Sequence, residues 1–189
     1  MKGWRHIYVK ISKIQGLNAL LPLAVIVLIL AIARENFLTV DNIMNVFRQA
    51  SVYAVMATGM TFVLLTGGVD LSHGSVLAMC CVLCAMTINS TGSMWLGILA
   101  AAGGGVIVGL INGVAVAYVK LPPFIMTLGS MYMVRGFTLW ITNSTQVSVK
   151  GMPHFNYIGQ GSLLGIPIPV YIFIIIGMIA SLFLTYTAT

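Results

Sequence analysis

Gly67-Gly68-Val69-Asp70-Leu71-Ser72-His73-Gly74-Ser75 is the stretch that decides how this chain is read. Asp70 is the only carboxylate after Asp41, and it stands between apolar runs rich in Val, Leu, Met, Ala and Cys. Glycines at 67, 68 and 74 interrupt helix on either side of it. In a water-soluble protein such a stretch is a surface turn. In a chain this apolar it predicts a non-helical loop at or within a bilayer, where irregular backbone and charge persist only against protein or water.

Composition settles the solvent. Of 189 residues 59% are hydrophobic and 6% charged, with a mean hydropathy of +1.04. Soluble domains carry about 25% charged residues, so this chain lacks the polar groups to cover a folded surface in water. The expected fold is all-α, a polytopic transmembrane helix bundle. Nine Lys and Arg against three acids give a formal charge of +6. Lys2, Arg5, Lys10 and Lys13 all precede the first apolar run, which places the N-terminus in the cytoplasm by the positive-inside rule. A nucleic-acid surface needs many more cations on one face, so nucleic acid is excluded as a partner.

A membrane span takes roughly 20 apolar residues. Six candidates follow the tail 1–16, at about 17–33, 46–66, 72–90, 94–119, 123–142 and 168–187. The first is longer than the apolar region of about 7–15 residues in a cleavable signal peptide, and is expected to be retained. Loops near 67–71, near Lys120 and after Thr187 then face the cytoplasm, and those at 34–45, 90–94 and 143–167 face outward. Thr39 or Asp41 is placed to cap a short helix leading into the second span. The apolar parts of the second and third spans, Tyr53–Thr66 and Val76–Ile88, hold only 14 and 13 residues. At a rise of about 1.5 Å per residue each covers roughly 20 Å. Either Arg48 and Gln49 enter the membrane, or the Gly67–Ser75 loop is sunk below its surface. Short, Gly-interrupted spans point to a transport pathway, although a tight interfacial hairpin reads the same way.

The fourth span carries Gly97, Ala101, Gly105, Gly109 and Gly113 at every fourth position. Such a stripe lets a neighbouring helix approach closely, and Asn112 beside it can hydrogen-bond across. Packing is the plainer reading of this ladder, a direct substrate role the sharper one. Pro122 and Pro123 open the fifth span, where a missing N–H costs nothing. Arg135 lies about 18 Å along that span and must snorkel, pair or face water. Tyr171 and Tyr186 bracket the sixth span at aromatic-belt depth. Cys80, Cys81 and Cys84 share one apolar run with no further ligands, and read as small buried side chains rather than a metal site.

Enzymatic chemistry has no centre. The chain holds no Gly-x-x-x-x-Gly-Lys-Ser/Thr phosphate loop, no Gly-x-Ser-x-Gly and no His-Glu-x-x-His. One membrane carboxylate cannot form an acid/base pair. No catalytic residue, metal ligand or cofactor is expected. Proton-coupled carriage stays open through Asp70 or His73, though a relay usually needs more ionisable groups.

The run Gly59 to Ser75, with Gly-Met-Thr-Phe-Val-Leu-Leu-Thr ahead of Gly67, resembles the signature of ribose/galactose-type permease subunits of bacterial ATP-binding-cassette importers. Gly109-Leu110-Ile111-Asn112-Gly113, Pro123-Phe124-Ile125-Met126-Thr127-Leu128-Gly129 and Arg135-Gly136 follow in that family's order and spacing. The likeness runs from about Asn36 to the end; His73 stands where many members have an apolar residue. It implies a multi-pass protein of the bacterial inner membrane that forms a translocation pathway for a monosaccharide. It further implies a cytoplasmic ATP-binding subunit, a periplasmic sugar-binding protein, and a second permease copy or sister subunit. Asp70, Ser72, Asn112 and Arg135 become the candidates for pathway or gate, beside the packing ladder. Members of the family are nearly twice as long, so residues 1–189 are expected to be the N-terminal part of one permease domain. Rival readings are a nucleoside, autoinducer or branched-chain amino-acid cargo, a proton-coupled carrier, or an inactive fragment.

Overall fold

The computed structural model describes residues 17–187, so the basic tail and the last two residues lie outside it. Among the described residues seven helices and one two-stranded hairpin follow in order: α1 Leu17–Ala33, α2 Val40–Leu65, α3 His73–Thr91, α4 Met94–Ala117, α5 Pro123–Ile141, α6 Pro153–Gln160, β1 Ser162–Leu163, β2 Ile166–Pro167 and α7 Ile168–Thr187. The chain divides into two compact units, Met1–Phe47 and Arg48–Thr189.

In the first unit α1 is an apolar helix of 17 residues. It is followed by a turn in which Asn42 Nδ2 donates to the Phe37 carbonyl at 2.7 Å. Thr39 caps α2, its Oγ1 accepting from the Asn42 amide at 3.4 Å. No separate short helix precedes the span. The cap starts one continuous helix of 26 residues, about 39 Å long, so Arg48 and Gln49 lie inside it. The helix itself is therefore longer than its apolar part, which begins at Tyr53.

The second unit is a bundle in which α3 and α4 pack most closely, with α5 against both. Its interior inverts the soluble pattern. Ser51, Ser72, Ser75, Asn112, Thr127, Ser130, Thr138 and Thr142 are buried, whereas large apolar side chains cover the outside. Small and hydroxylic residues allow close helix approach where lipid removes any hydrophobic drive to associate. Gly97 meets α3 so tightly that a Cβ there would stand 2.5 Å from Ile88 Cγ1. Gly92 turns the α3–α4 corner in the left-handed region at φ +68°, donating to the Ile88 carbonyl.

Among the described residues, four helices are long and apolar enough to cross a membrane: α3, α4, α5 and α7. The expected six included α1, which at 17 residues is shorter than these, and α2, whose polar first half dilutes its apolar second half. The segment 143–167, expected as a polar loop, instead folds into α6 and a hairpin. Leu164 and Gly165 both take positive φ at its tip, as a two-residue turn requires. Polar contacts tie this segment to α2 and to the end of α3. Arg48 Nη2 donates to the Gln160 carbonyl at 2.9 Å. Asn89 donates to the Ser148 carbonyl and accepts from the Lys150 amide.

Candidate functional site

α2 stops because its last turn closes on glycine. The Gly68 amide reaches back to the Val63 carbonyl at 3.3 Å while Gly67 sits at φ +78°. Val69, Asp70 and Leu71 follow without regular structure, and α3 begins after Ser72. Residues 66–72 are thus the irregular, acid-bearing loop that the glycines announce.

Asp70 organises the loop locally. Its Oδ1 accepts from the Ser72 amide at 2.7 Å and from Ser72 Oγ at 2.6 Å. Short bonds of this kind are charge-assisted. His73 Nδ1 lies 2.8 Å from the Asp70 carbonyl and donates to it. Among the described residues Asp70 has these hydrogen bonds but no ion pair.

Two other helices clamp the loop. Asn112 Nδ2 on α4 donates to Ser72 Oγ at 3.0 Å, and Ser72 is 1% exposed. Thr127 Oγ1 on α5 accepts from the Leu71 amide at 3.2 Å. Its own proton lies between the Pro123 carbonyl at 2.8 Å and the Val69 carbonyl at 3.2 Å. Asn112 sits five residues inside the end of α4, about 8 Å from Ala117. The loop is therefore anchored to the bundle at its two buried residues, Gly68 and Ser72, while Thr66, Gly67 and Val69 stay exposed.

Asp70, Gly109 and Asn112 border two cavities. One, of about 480 Å³, extends past Thr66, Gly67, Gly113, Pro123 and Thr127. The other, of about 310 Å³, extends past Met56, His73, Cys80 and Gly105. The buried Asn112 Oδ1 has no partner among the described residues, so the clamp itself holds one unmet acceptor there.

Of the residues singled out in the sequence, Asp70, Ser72 and Asn112 come together in one chain of hydrogen bonds. Arg135 does not join them. It is exposed, eight residues beyond Thr127, about 12 Å along α5. The ladder on α4 divides: Gly97 and Gly105 face α3, with Cys80 Sγ 3.4 Å from a Cβ placed at Gly105. A Cβ at Gly109 or Gly113 meets nothing within 4 Å, because these glycines line the cavities. Thr127 was not singled out, although its place four residues after Pro123 in the Pro-Phe-Ile-Met-Thr motif is a signal that could have found it. The three cysteines are free, and no group of three or more His, Cys, Asp or Glu that could hold a metal occurs among the described residues.

Comparison with known proteins agrees with this picture. Residues 42–189 match the family described as branched-chain amino acid transport system / permease component. The ribose import permease protein RbsC of Escherichia coli (strain K12) is 36% identical over 173 residues, 90% of this chain and 54% of that protein. Its namesake from Bacillus subtilis (strain 168) is 38% identical over 82% of this chain and 48% of its own. The D-allose transport system permease protein AlsC of Escherichia coli (strain K12) is 38% identical over 83% and 48%. This chain spans about half the length of these curated relatives. No solved structure matches it. Four apolar spans and these relatives make it an integral membrane protein. The chain belongs to the family of branched-chain amino acid transport system permease components.

Proposed function

We propose that this chain forms part of the translocation pathway of an ATP-driven importer, as a permease subunit that carries out no covalent chemistry. The cargo is a monosaccharide delivered by a periplasmic binding protein. ATP is hydrolysed on a separate cytoplasmic subunit, and a second permease copy or sister subunit completes the pathway in the bacterial inner membrane. The observation that carries this reading is the irregular loop 66–72, tied to α4 through Asn112 and to α5 through Thr127. A helix break held by three elements is a point where tilting one helix is felt by the others. Asp70, Ser72 and Asn112 act there as gate residues, and Arg135 faces the aqueous pathway or a partner.

Six spans with a cytoplasmic N-terminus complete the proposal, α1 and α2 joining α3, α4, α5 and α7. The contacts from Asn89, near the end of α3, to residues 148–150 support the alternation of helix ends. Relatives carry sugar names, among them ribose, fructose, D-allose and galactofuranose. The family description favours a second cargo, a branched-chain amino acid.

The test is uptake of labelled pentoses, hexoses and leucine by membranes carrying the intact permease with its partner subunits. Uptake of a sugar that stops when ATP is depleted, and survives an uncoupler at constant ATP, supports the proposal. Uptake that needs a proton gradient and no ATP overturns it. Uptake of leucine alone transfers the cargo to the second reading.

A further inference from the structure

We infer that the groove between α2 and α7 is a contact surface for a neutral polyhydroxyl ligand, an inference that rests on the sugar-permease reading above. The groove is shallow and open, with a volume of about 600 Å³, within the range of about 300–1,000 Å³ typical of small-molecule sites. Thr58 and Thr61 line it from α2, Ser181 and Thr185 from α7, with Phe62 and Phe173 beside them. From Phe173 to Thr185 it follows α7 for about 18 Å.

The chemistry of the lining is selective. Thr58, Thr61 and Thr185 each donate to the carbonyl four residues earlier, at 2.9 Å in every case. Their protons are spent within the helix, and their oxygen lone pairs remain as acceptors. Ser181 is exposed, and its hydroxyl makes no hydrogen bond among the described residues, so it can donate as well as accept. An unpartnered hydroxyl facing hydrocarbon is unfavourable. Water or a ligand hydroxyl removes that cost. No charged residue lines the groove, so neither an anion nor a cation finds a counter-charge. Hydroxyls that donate to these oxygens, with C–H faces laid on the two phenylalanines, describe a sugar. A tilted contact with Phe183, ring centres 5.9 Å apart, holds Phe62 in place. The cavity between α3, α4 and α5 is a contrast. Of about 470 Å³, it is lined by Met, Leu, Ile, Val and Phe with Ser130 as its one hydroxyl, a lining suited to an acyl chain.

The experiment uses the intact permease with its partners in membrane vesicles, after Cys80, Cys81 and Cys84 are replaced by Ala. Ser181→Cys is labelled with a membrane-impermeant thiol reagent, with and without the transported sugar. Ile179→Cys, on an exposed part of α7 outside the groove, is the control. Ser181→Cys is expected to react, and to react about tenfold more slowly at about ten times the half-saturating sugar concentration, while Ile179→Cys shows no protection. Ser181→Ala is expected to raise the half-saturating concentration about two- to tenfold, the equivalent of one hydrogen bond. Transport by the wild type with no sugar protection at Ser181→Cys overturns this inference alone, as does a cysteine there that reacts only with lipid-soluble reagents. Absence of sugar transport by the wild type overturns the underlying reading too.

Discussion

Asn112 on α4 donates to Ser72 Oγ at 3.0 Å across a sequence separation of 40 residues, and Ser72 passes its own proton to Asp70 Oδ1 at 2.6 Å. The carboxylate therefore fixes which way the serine hydroxyl points, and the amide reads that direction from another helix. Asn112→Ala should break the link while leaving the Asp70–Ser72 pair intact. It also removes the unpartnered Asn112 Oδ1, which keeps the cost at about 0.5–1.5 kcal/mol. A fall in detergent Tm of about 2–4 °C per kcal/mol is the expected reading. A melting curve identical to wild type would mean that α4 does not hold the loop.

Asp70 accepts two hydrogen bonds on one oxygen, which separates the effects of its shape and its charge. Asp70→Asn retains a carbonyl oxygen for the Ser72 amide and hydroxyl but loses the charge assistance. Asp70→Ala leaves the buried Ser72 hydroxyl without its acceptor. The expected order of stability is wild type, then Asn, then Ala, with the alanine variant down by about 1–3 kcal/mol. Limited proteolysis at residues 66–72 should follow the same order. Equal behaviour of the two variants would assign the whole effect to charge.

The helical framework was legible because its signals are local. The apolar runs 17–33 and 168–187 coincide with α1 and α7, and Pro123 marks the start of α5. α2 was foreseen from residue 46 and starts at Val40, since its first turns are polar and held by the Thr39 cap rather than by apolar periodicity. The hairpin at 162–167 escaped notice because two-residue strands carry no periodicity. In the site, the Asp70–Ser72 pair spans two residues and could be read from the loop itself. The partners Asn112 and Thr127 lie 40 and 56 residues from the groups they bond. Nothing in one sequence links such positions, so Asn112 was placed as a polar neighbour of the ladder and Thr127 was missed.

The divided ladder on α4 predicts opposite outcomes for one kind of change. At Gly97 an added Cβ falls 2.5 Å from Ile88 Cγ1 and 3.0 Å from the Cys84 carbonyl, so Gly97→Ala must push α3 and α4 apart. Overpacking of this sort costs about 1–3 kcal/mol. At Gly109 the Cβ meets nothing within 4 Å, and Gly109→Ala should be neutral or gain up to about 1 kcal/mol from reduced backbone freedom. Parallel thermal melts of the two variants decide the matter. Similar losses at both positions would show that the whole stripe, and not its first half, is packed against a neighbour.

Asn89, near the end of α3, uses both ends of its amide on the segment after α5. Nδ2 donates to the Ser148 carbonyl at 2.9 Å and Oδ1 accepts from the Lys150 amide at 3.0 Å. These atoms are exposed, so water can replace either partner and the net contribution to stability is small, below about 1 kcal/mol. The effect should be local. Asn89→Ala is expected to leave the global Tm within about 2 °C, yet to speed hydrogen exchange at the Lys150 amide, whose protection rests on that one acceptor. Asn89→Asp keeps the acceptor for Lys150 and loses the donor to Ser148, so it should preserve slow exchange at 150. Fast exchange at Lys150 in the wild type, or equal exchange in all three proteins, would show that the segment is not anchored to α3 through this side chain.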